Sequence, residues 1–258
     1  MNNMKKIGII GCGWLGTHMA ERLATQHEIF VTTTSESKIK NLSDKGYHVT
    51  KVSFPDDITG TIAEWEITSQ LDAVIVTVPF SGVRGAEISL KERNENLLTF
   101  LGDYKGQLFL MSSTGVYPDL EKEFIEEDRS ADEVPSENFI KNRFPQVNIL
   151  RLAGLMGDQR LLKNYNISNL EQLVNHIHYA DICTVVEKML NNESQSKVYN
   201  VVAPVHPNKE EIISAQKDLP YSGSRTTQGR TISPSKLISD LNFEFHYPDP
   251  RYFHLESI

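Results

Sequence analysis

Cysteine is scarce: Cys12 and Cys183 stand far apart in a chain of 258 residues. Two lone cysteines make neither a disulfide framework nor a zinc site, and the histidines, His176, His178 and His206 among them, show no metal-ligand spacing, so no structural metal is expected. No run of roughly 18 apolar residues occurs, which excludes a hydrophobic membrane-spanning helix. The opening segment, Met1 to Lys6, is short and polar and has no apolar region of signal-peptide length; a cytoplasmic location is expected. Basic stretches are missing as well. Lys plus Arg is 26 against 34 for Asp plus Glu, a formal net charge of −8. That balance argues against nucleic-acid binding by phosphate neutralisation and against a polybasic membrane tether. There is no internal repeat and no low-complexity tract. With 39% hydrophobic and 23% charged residues, the chain can build one large α/β domain, or a main domain with a small lobe.

Short apolar runs alternate with helical patterns, the signal for βαβ units on a parallel sheet. Strands are predicted at Lys6–Ile10, Glu28–Thr33, Tyr47–Phe54 (closed by Pro55), Ala73–Val78, Gln107–Ser112, Val147–Leu152 and Lys197–Val202. Between them the apolar spacing predicts helices from Leu15 to Leu23, over Ser37–Lys45, over Glu87–Asp103 with Leu90 and Leu97 on its apolar side, over Leu170–His176 and over Ile182–Leu190. Asn208–Lys217 and Ser233–Leu241 read as helices of a small lobe. Pro118–Pro135 is acidic and aperiodic, a long loop that is either functional or a solvated excursion. The expected fold is a doubly wound Rossmann-type α/β sheet with a small C-terminal substrate lobe. Residues 1–152 form the dinucleotide-binding core. Residues 153–258 hold the remaining core elements, at about 177–202, interleaved with that lobe.

The first strand runs into Gly11-Cys12-Gly13-Trp14-Leu15-Gly16, a GxGxxG turn that opens a helix. Gly11 allows the tight turn, Gly13 lets the backbone approach a pyrophosphate, and Gly16 packs the helix onto the sheet. The anion sits on free N–H groups at the helix N-terminus. Cys12 reads as a small filler residue. The predicted cofactor-binding set is Gly11, Gly13, Trp14, Leu15 and Gly16, with Val78 and Pro79 at the end of the fourth strand. The end of the second strand is hydroxylic rather than acidic. Thr34, Ser35 and Lys38 suit a 2′-phosphate and favour NADP. Glu36 keeps NAD open as the ribose partner.

Three further segments carry a resemblance. Met111-Ser112-Ser113-Thr114-Gly115-Val116-Tyr117 resembles the SSxxVYG stretch of extended short-chain dehydrogenases/reductases. Leu150 to Gly157 resembles their LRxxxxYG segment, and Asn175 to Asp181 their xxIHVxD segment. Together with the G-C-G-W-L-G opening and the stretch from Gly229 to Pro248, these make the chain similar to atypical members of the epimerase/dehydratase-like group. The resemblance implies an oxidoreductase, epimerase or dehydratase acting on a small-molecule substrate. It also implies a Ser or Thr that holds the substrate oxygen, matched by Ser113, and a Tyr-x-x-x-Lys pair, in which the Lys charge lowers the Tyr pKa. That pair is not matched. With Glu137 aligned to the family's helix glutamate, Glu133 and Arg129 fall at the Lys and Tyr positions. A direct count from Ser113 puts Asn138 near the Tyr position instead. Tyr117 is the nearest remaining phenol and the second catalytic candidate, unless it only packs the strand–loop junction. His178 with Asp181 and Arg230 are weaker candidates. A nucleotide-sensing regulator without turnover stands as the alternative. The short helix before Pro145 predicts a monomer or a weak homodimer.

Overall fold

A computed structural model describes residues 4–54, 62–79, 87–221, 223 and 229–255, the side chains of residues 87–90 excepted. Pro55 and the Leu90 side chain therefore lie outside the described residues. The elements in chain order are β1 (Lys6–Ile10), α1 (Trp14–Leu23), β2 (Glu28–Thr33), α2 (Glu36–Asp44), β3 (His48–Lys51), β4 (Ala73–Val76), α3 (Glu87–Leu101), β5 (Gln107–Ser113), β6 (Glu123–Phe124), α4 (Pro135–Arg143), β7 (Asn148–Leu152), β8 (Gly154–Met156), β9 (His176–His178), α5 (Tyr179–Asn191), β10 (Val198–Val201), α6 (Lys209–Gln216), β11 (Thr231–Ile232) and α7 (Ser235–Leu241).

Seven strands form one parallel sheet in the order β3-β2-β1-β4-β5-β7-β10. The register sets Ile7 beside Ile29 on one side and Ala73 on the other. Strand order reverses at β1, the position where open α/β sheets place their ligands, beyond the carboxyl ends of the strands. Ala73, Val74 and Ile75 are fully buried, as expected of a central parallel strand covered on both faces. Helix α1 turns Leu15, Met19, Ala20 and Leu23 inward at helical spacing.

The chain is built as two interleaved compact units. One comprises residues 1–112, 131–150 and 190–198; the other comprises 113–130, 151–189 and 199–258. The core of the first includes Val74, Leu97, Phe100, Leu108, Ile140 and Ile149, with the Trp65 and Phe100 rings stacked 5.2 Å apart. The core of the second gathers Met156, Leu161, Val174, Ala203, Ile212 and Phe253. Two short parallel pairs belong to it, β6 with β11 and β8 with β9.

Most elements lie within a few residues of their predicted ends. The exception is the helix expected over Leu170–His176. Asn169 adopts a left-handed conformation, φ +54°. The Leu170 and Gln172 carbonyls accept hydrogen bonds from the Glu210 and Lys209 N–H groups, and Val174 N–H donates to the Pro207 carbonyl. The segment satisfies the open N–H groups of the first turn of α6 and then enters β9. Tertiary hydrogen bonding replaces the local helix that the apolar spacing suggested. Within Pro118–Pro135 the chain is not featureless: it carries β6 and short 3-10 turns at Glu126–Asp128 and Ala131–Glu133.

Candidate functional site

The glycine turn follows from its three glycines. Gly11 has φ +99°, a region that side chains rarely adopt. Its N–H donates to Thr32 Oγ1 at 2.9 Å, and the Cys12 N–H donates to the Thr32 carbonyl at 2.7 Å. The turn is thus pinned to the end of β2. A Cβ on Gly16 would strike the Gly11 carbonyl oxygen, so α1 can approach the strand only with glycine there. Thr77, the first residue after β4, donates its hydroxyl to the Gly11 carbonyl and packs against the same position. Val78 lies on the other flank: a Cβ on Gly11 would sit 2.7 Å from its Cγ1. Thr77 is a site residue that sequence reasoning missed; its only signal is its place directly after a buried apolar strand.

Gly13 differs from its neighbours. It is exposed, and a Cβ built on it would meet no described atom within 4 Å. It is also the N-cap of α1, and no side chain caps that end. Among the described residues nothing crowds Gly13 at the N-terminus of α1, so the positive end of the helix dipole has room there for a pyrophosphate. The residues present fit a dinucleotide. Trp14 is half-buried with its ring edge-on to His18, and Leu15 is buried, so that only its backbone could serve the cradle. Pro79 is exposed and its carbonyl accepts from Arg93. Cys12 is buried, its thiol 3.6 Å from Thr17 Oγ1. Burial pushes the thiol above its ordinary value, while the Lys38 ammonium pulls it the other way.

Beyond β2, Thr34 is exposed, Ser35 is half-buried at the N-cap position of α2 without a side-chain capping bond, and the Ser35 and Ser37 hydroxyls lie 2.8 Å apart. Lys51, the last residue of β3, stands across from Thr33 in the sheet register. Its ammonium is ion-paired with the Glu36 carboxylate.

In the second unit, Ser113 is half-buried at the end of β5, and its Oγ accepts the Gly115 N–H at 3.0 Å. Among the described residues the hydroxyl proton has no acceptor. Tyr117 is different. It is 2% exposed; its hydroxyl donates to Asn200 Oδ1 at 2.8 Å and accepts from Arg151 Nη1 at 2.8 Å. Arg151, fully buried, also donates to the Glu126 carbonyl. The Asn200 N–H donates to the Glu126 carboxylate at 2.7 Å. Burial pushes both the Tyr117 phenol and the Glu126 carboxyl above their ordinary values. The four residues form a closed polar network that ties the segment after Ser113 to β7 and β10.

The remaining candidates have other partners. Glu137 lies in the first turn of α4, fully buried, and accepts from Ser112 Oγ at 2.6 Å within the first unit. Because α4 begins at Pro135, positions 129 and 133 precede it, and no helix turn sets a Tyr and a Lys on one face there. Asp181 accepts the backbone N–H groups of His246 and Tyr247, and the His178 ring stacks on Tyr247 at 3.7 Å. The Ala180 N–H donates to His178 Nδ1. Arg230 donates to the Tyr117 carbonyl at 3.1 Å. These are structural ties. Among the described residues no cluster of metal-ligating side chains occurs, and no helix is long and apolar enough to cross a membrane.

The fold and the glycine turn define a Rossmann-type α/β protein. Comparison with known proteins agrees. Residues 6–98 match the family model described as NADP oxidoreductase coenzyme F420-dependent. The chain is 24% identical to protein YeeZ of Escherichia coli (strain K12), over 98% of this chain and 100% of that protein. Among solved structures it is similar to the Bordetella bronchiseptica enzyme WbmG in complex with NAD, with a TM-score of 0.73 and 15% identity over 98% of this chain and 94% of that one. It is also similar to the human epimerase family protein SDR39U1 with NADPH, with a TM-score of 0.64 and 15% identity over 96% and 97% of the two chains. At such identities the structural likeness is one of fold.

Proposed function

We propose that the protein is an atypical short-chain dehydrogenase/reductase that binds NADP at the glycine turn and acts on a small-molecule substrate as an oxidoreductase, epimerase or dehydratase. One observation carries this reading: a Cβ on Gly13, at the N-terminus of α1, would meet no described atom within 4 Å, whereas a Cβ on Gly11 or Gly16 would strike packed neighbours. A structural turn has no need of that opening. Lys38 in the first turn of α2, with the hydroxyls of Thr34, Ser35 and Ser37, supports NADP over NAD. A bound nicotinamide dinucleotide supplies hydride chemistry. Ser113 is assigned to the substrate oxygen, because a strand-end hydroxyl with a free proton can donate as negative charge develops there. Neither nucleic acid nor a membrane belongs to this reading, and its setting is the cytoplasm.

The test is titration calorimetry with NADP and NAD. Micromolar or tighter binding of NADP, stronger than that of NAD, is expected. Tighter binding of NAD would assign Glu36 to the ribose and overturn the NADP preference.

A second reading has its own support. Tyr117 is engaged on both sides of its hydroxyl, and no Tyr/Lys pair shares a helix face before β7. A nucleotide-binding sensor without turnover needs neither. NADPH oxidation against a panel of carbonyl compounds separates the two: persistent nucleotide binding with no turnover would favour the sensor.

A further inference from the structure

We infer that Lys51 decides the choice between NADP and NAD, by holding the Glu36 carboxylate out of the nucleotide's way. The inference rests on the nucleotide reading above and adds a residue from a different strand. Glu36 is the first residue of α2, one position beyond Ser35 at the N-cap position. It is the one acidic side chain in the stretch Thr34–Lys38. Free, a carboxylate there does two things. It accepts hydrogen bonds from a ribose diol, which favours NAD, and it repels a 2′-phosphate, which carries close to two negative charges. The structure shows it otherwise employed. Lys51 ends β3 directly across from Thr33, and the Val52 N–H bonds the Thr33 carbonyl, so the two strand ends are locked in register. That register delivers the Lys51 ammonium to Glu36. With Glu36 neutralised, Lys38 is the remaining charge of the stretch Thr34–Lys38, which also carries the Ser35–Ser37 hydroxyl pair.

The magnitude is modest, because both partners are well exposed, at 56% and 74%. An exposed ion pair contributes little to stability. A freed carboxylate facing a dianion at about 6 Å in water costs on the order of tenfold in binding. Lys51 therefore acts through Glu36 as a positioning residue, and its signature is a ratio of affinities rather than folding or total affinity.

The experiment measures dissociation constants of NADP and NAD by calorimetry for the unmodified protein, Lys51→Ala, Lys51→Arg, Glu36→Gln and Glu36→Gln/Lys51→Ala. Lys51→Ala should lower the NADP-over-NAD preference about tenfold, mostly by weakening NADP. Lys51→Arg should keep the preference. Glu36→Gln/Lys51→Ala should return it to within about twofold of the unmodified protein, since the carboxylate that Lys51 restrains is gone. A ratio unmoved by Lys51→Ala would overturn the inference. So would a double variant as impaired as Lys51→Ala, which would place Lys51 directly on the phosphate. Failure of the unmodified protein to bind either nucleotide would overturn the nucleotide reading and this inference with it; a measurable but unmoved ratio overturns the inference alone.

Discussion

At the scale of single residues, the three glycines of the turn separate packing from binding. Gly13 has an extended backbone, φ −81°, and open space where a side chain would go. Gly13→Val should therefore leave the melting temperature of the free protein within about 2 °C, while a branched side chain in the pyrophosphate cradle lowers NADP affinity at least tenfold, to be read by calorimetry. Gly16→Val meets the Gly11 carbonyl, a backbone atom that cannot swing aside. It should destabilise the fold by roughly 1–3 kcal/mol through overpacking, visible in urea denaturation without any nucleotide. Equal losses of stability in the two variants would refute this division of roles.

Ser113 and Tyr117 divide in the same way. The Ser113 hydroxyl serves one local turn, so Ser113→Ala should change stability by no more than about 0.5 kcal/mol and, in an active enzyme, cost on the order of 10²–10³ in turnover. Tyr117→Phe deprives buried Arg151 and Asn200 of a partner each. Leaving buried polar groups unpaired costs roughly 1–3 kcal/mol, so denaturation should show the larger loss in Tyr117→Phe and steady-state turnover the larger loss in Ser113→Ala. The reverse pattern would make Tyr117 the proton donor.

At the scale of elements, the segment 113–130 is held by Glu126, whose carboxyl is buried and raised above its ordinary 4.5. A carboxyl raised in the folded state favours folding when protonated. Its contribution is complete below the unfolded value and is lost as pH rises through the folded one. Asp181, raised by burial, acts in the same direction. At the surface Glu127 and Asp128, lowered by Lys236 and Lys122, act in the opposite one. The informative quantity is thus a difference between proteins. Between pH 4.5 and pH 7, Glu126→Gln should lose less stability than its parent in urea titrations, because its amide oxygen can still accept the Asn200 N–H. An unchanged difference would show that Glu126 does not titrate in this window.

What was legible in the sequence follows from the range of the interactions. The strand–glycine turn–helix unit is local, and its pattern read correctly from Lys6 to Leu23. The buried strand expected over Ala73–Val78 from its apolar run forms over Ala73–Val76. The Thr77–Gly11, Ser112–Glu137 and Lys51–Glu36 contacts join residues 66, 25 and 15 positions apart. Nothing in local periodicity signals them. Helix propensity misled at Leu170–His176 for the same reason: the carbonyls of that segment are claimed by α6, a partner nearly 40 residues on.

At the scale of the whole molecule, the helices available for association are unequal. Helix α3 has 15 residues and α4 only nine, with Lys141 and Arg143 of α4 engaged by Asp132 and Asp103. Permanent dimers bury roughly 2,000 Å² or more, largely apolar. A nine-residue helix carrying a buried Glu137 offers little of that. Sedimentation at micromolar concentration should show a monomer or a weak, concentration-dependent dimer; a dimer whose mass is independent of dilution would overturn this.

The interleaving of the two units bears on how the protein is made. The chain passes from one unit to the other at residues 112, 130, 150, 189 and 198. As the nascent chain leaves the ribosome, the strands from β1 to β5 can pair once about 113 residues are out. Their unit then lacks residues 131–150 and 190–198; the latter segment accepts hydrogen bonds from the Lys5, Gln107 and Asn148 side chains. At roughly 5–20 residues per second, that wait lasts several seconds, during which the outer edge of a hydrophobic parallel sheet is unpaired. The acidic balance of the chain then has a use before folding is finished, since like charge keeps such intermediates apart.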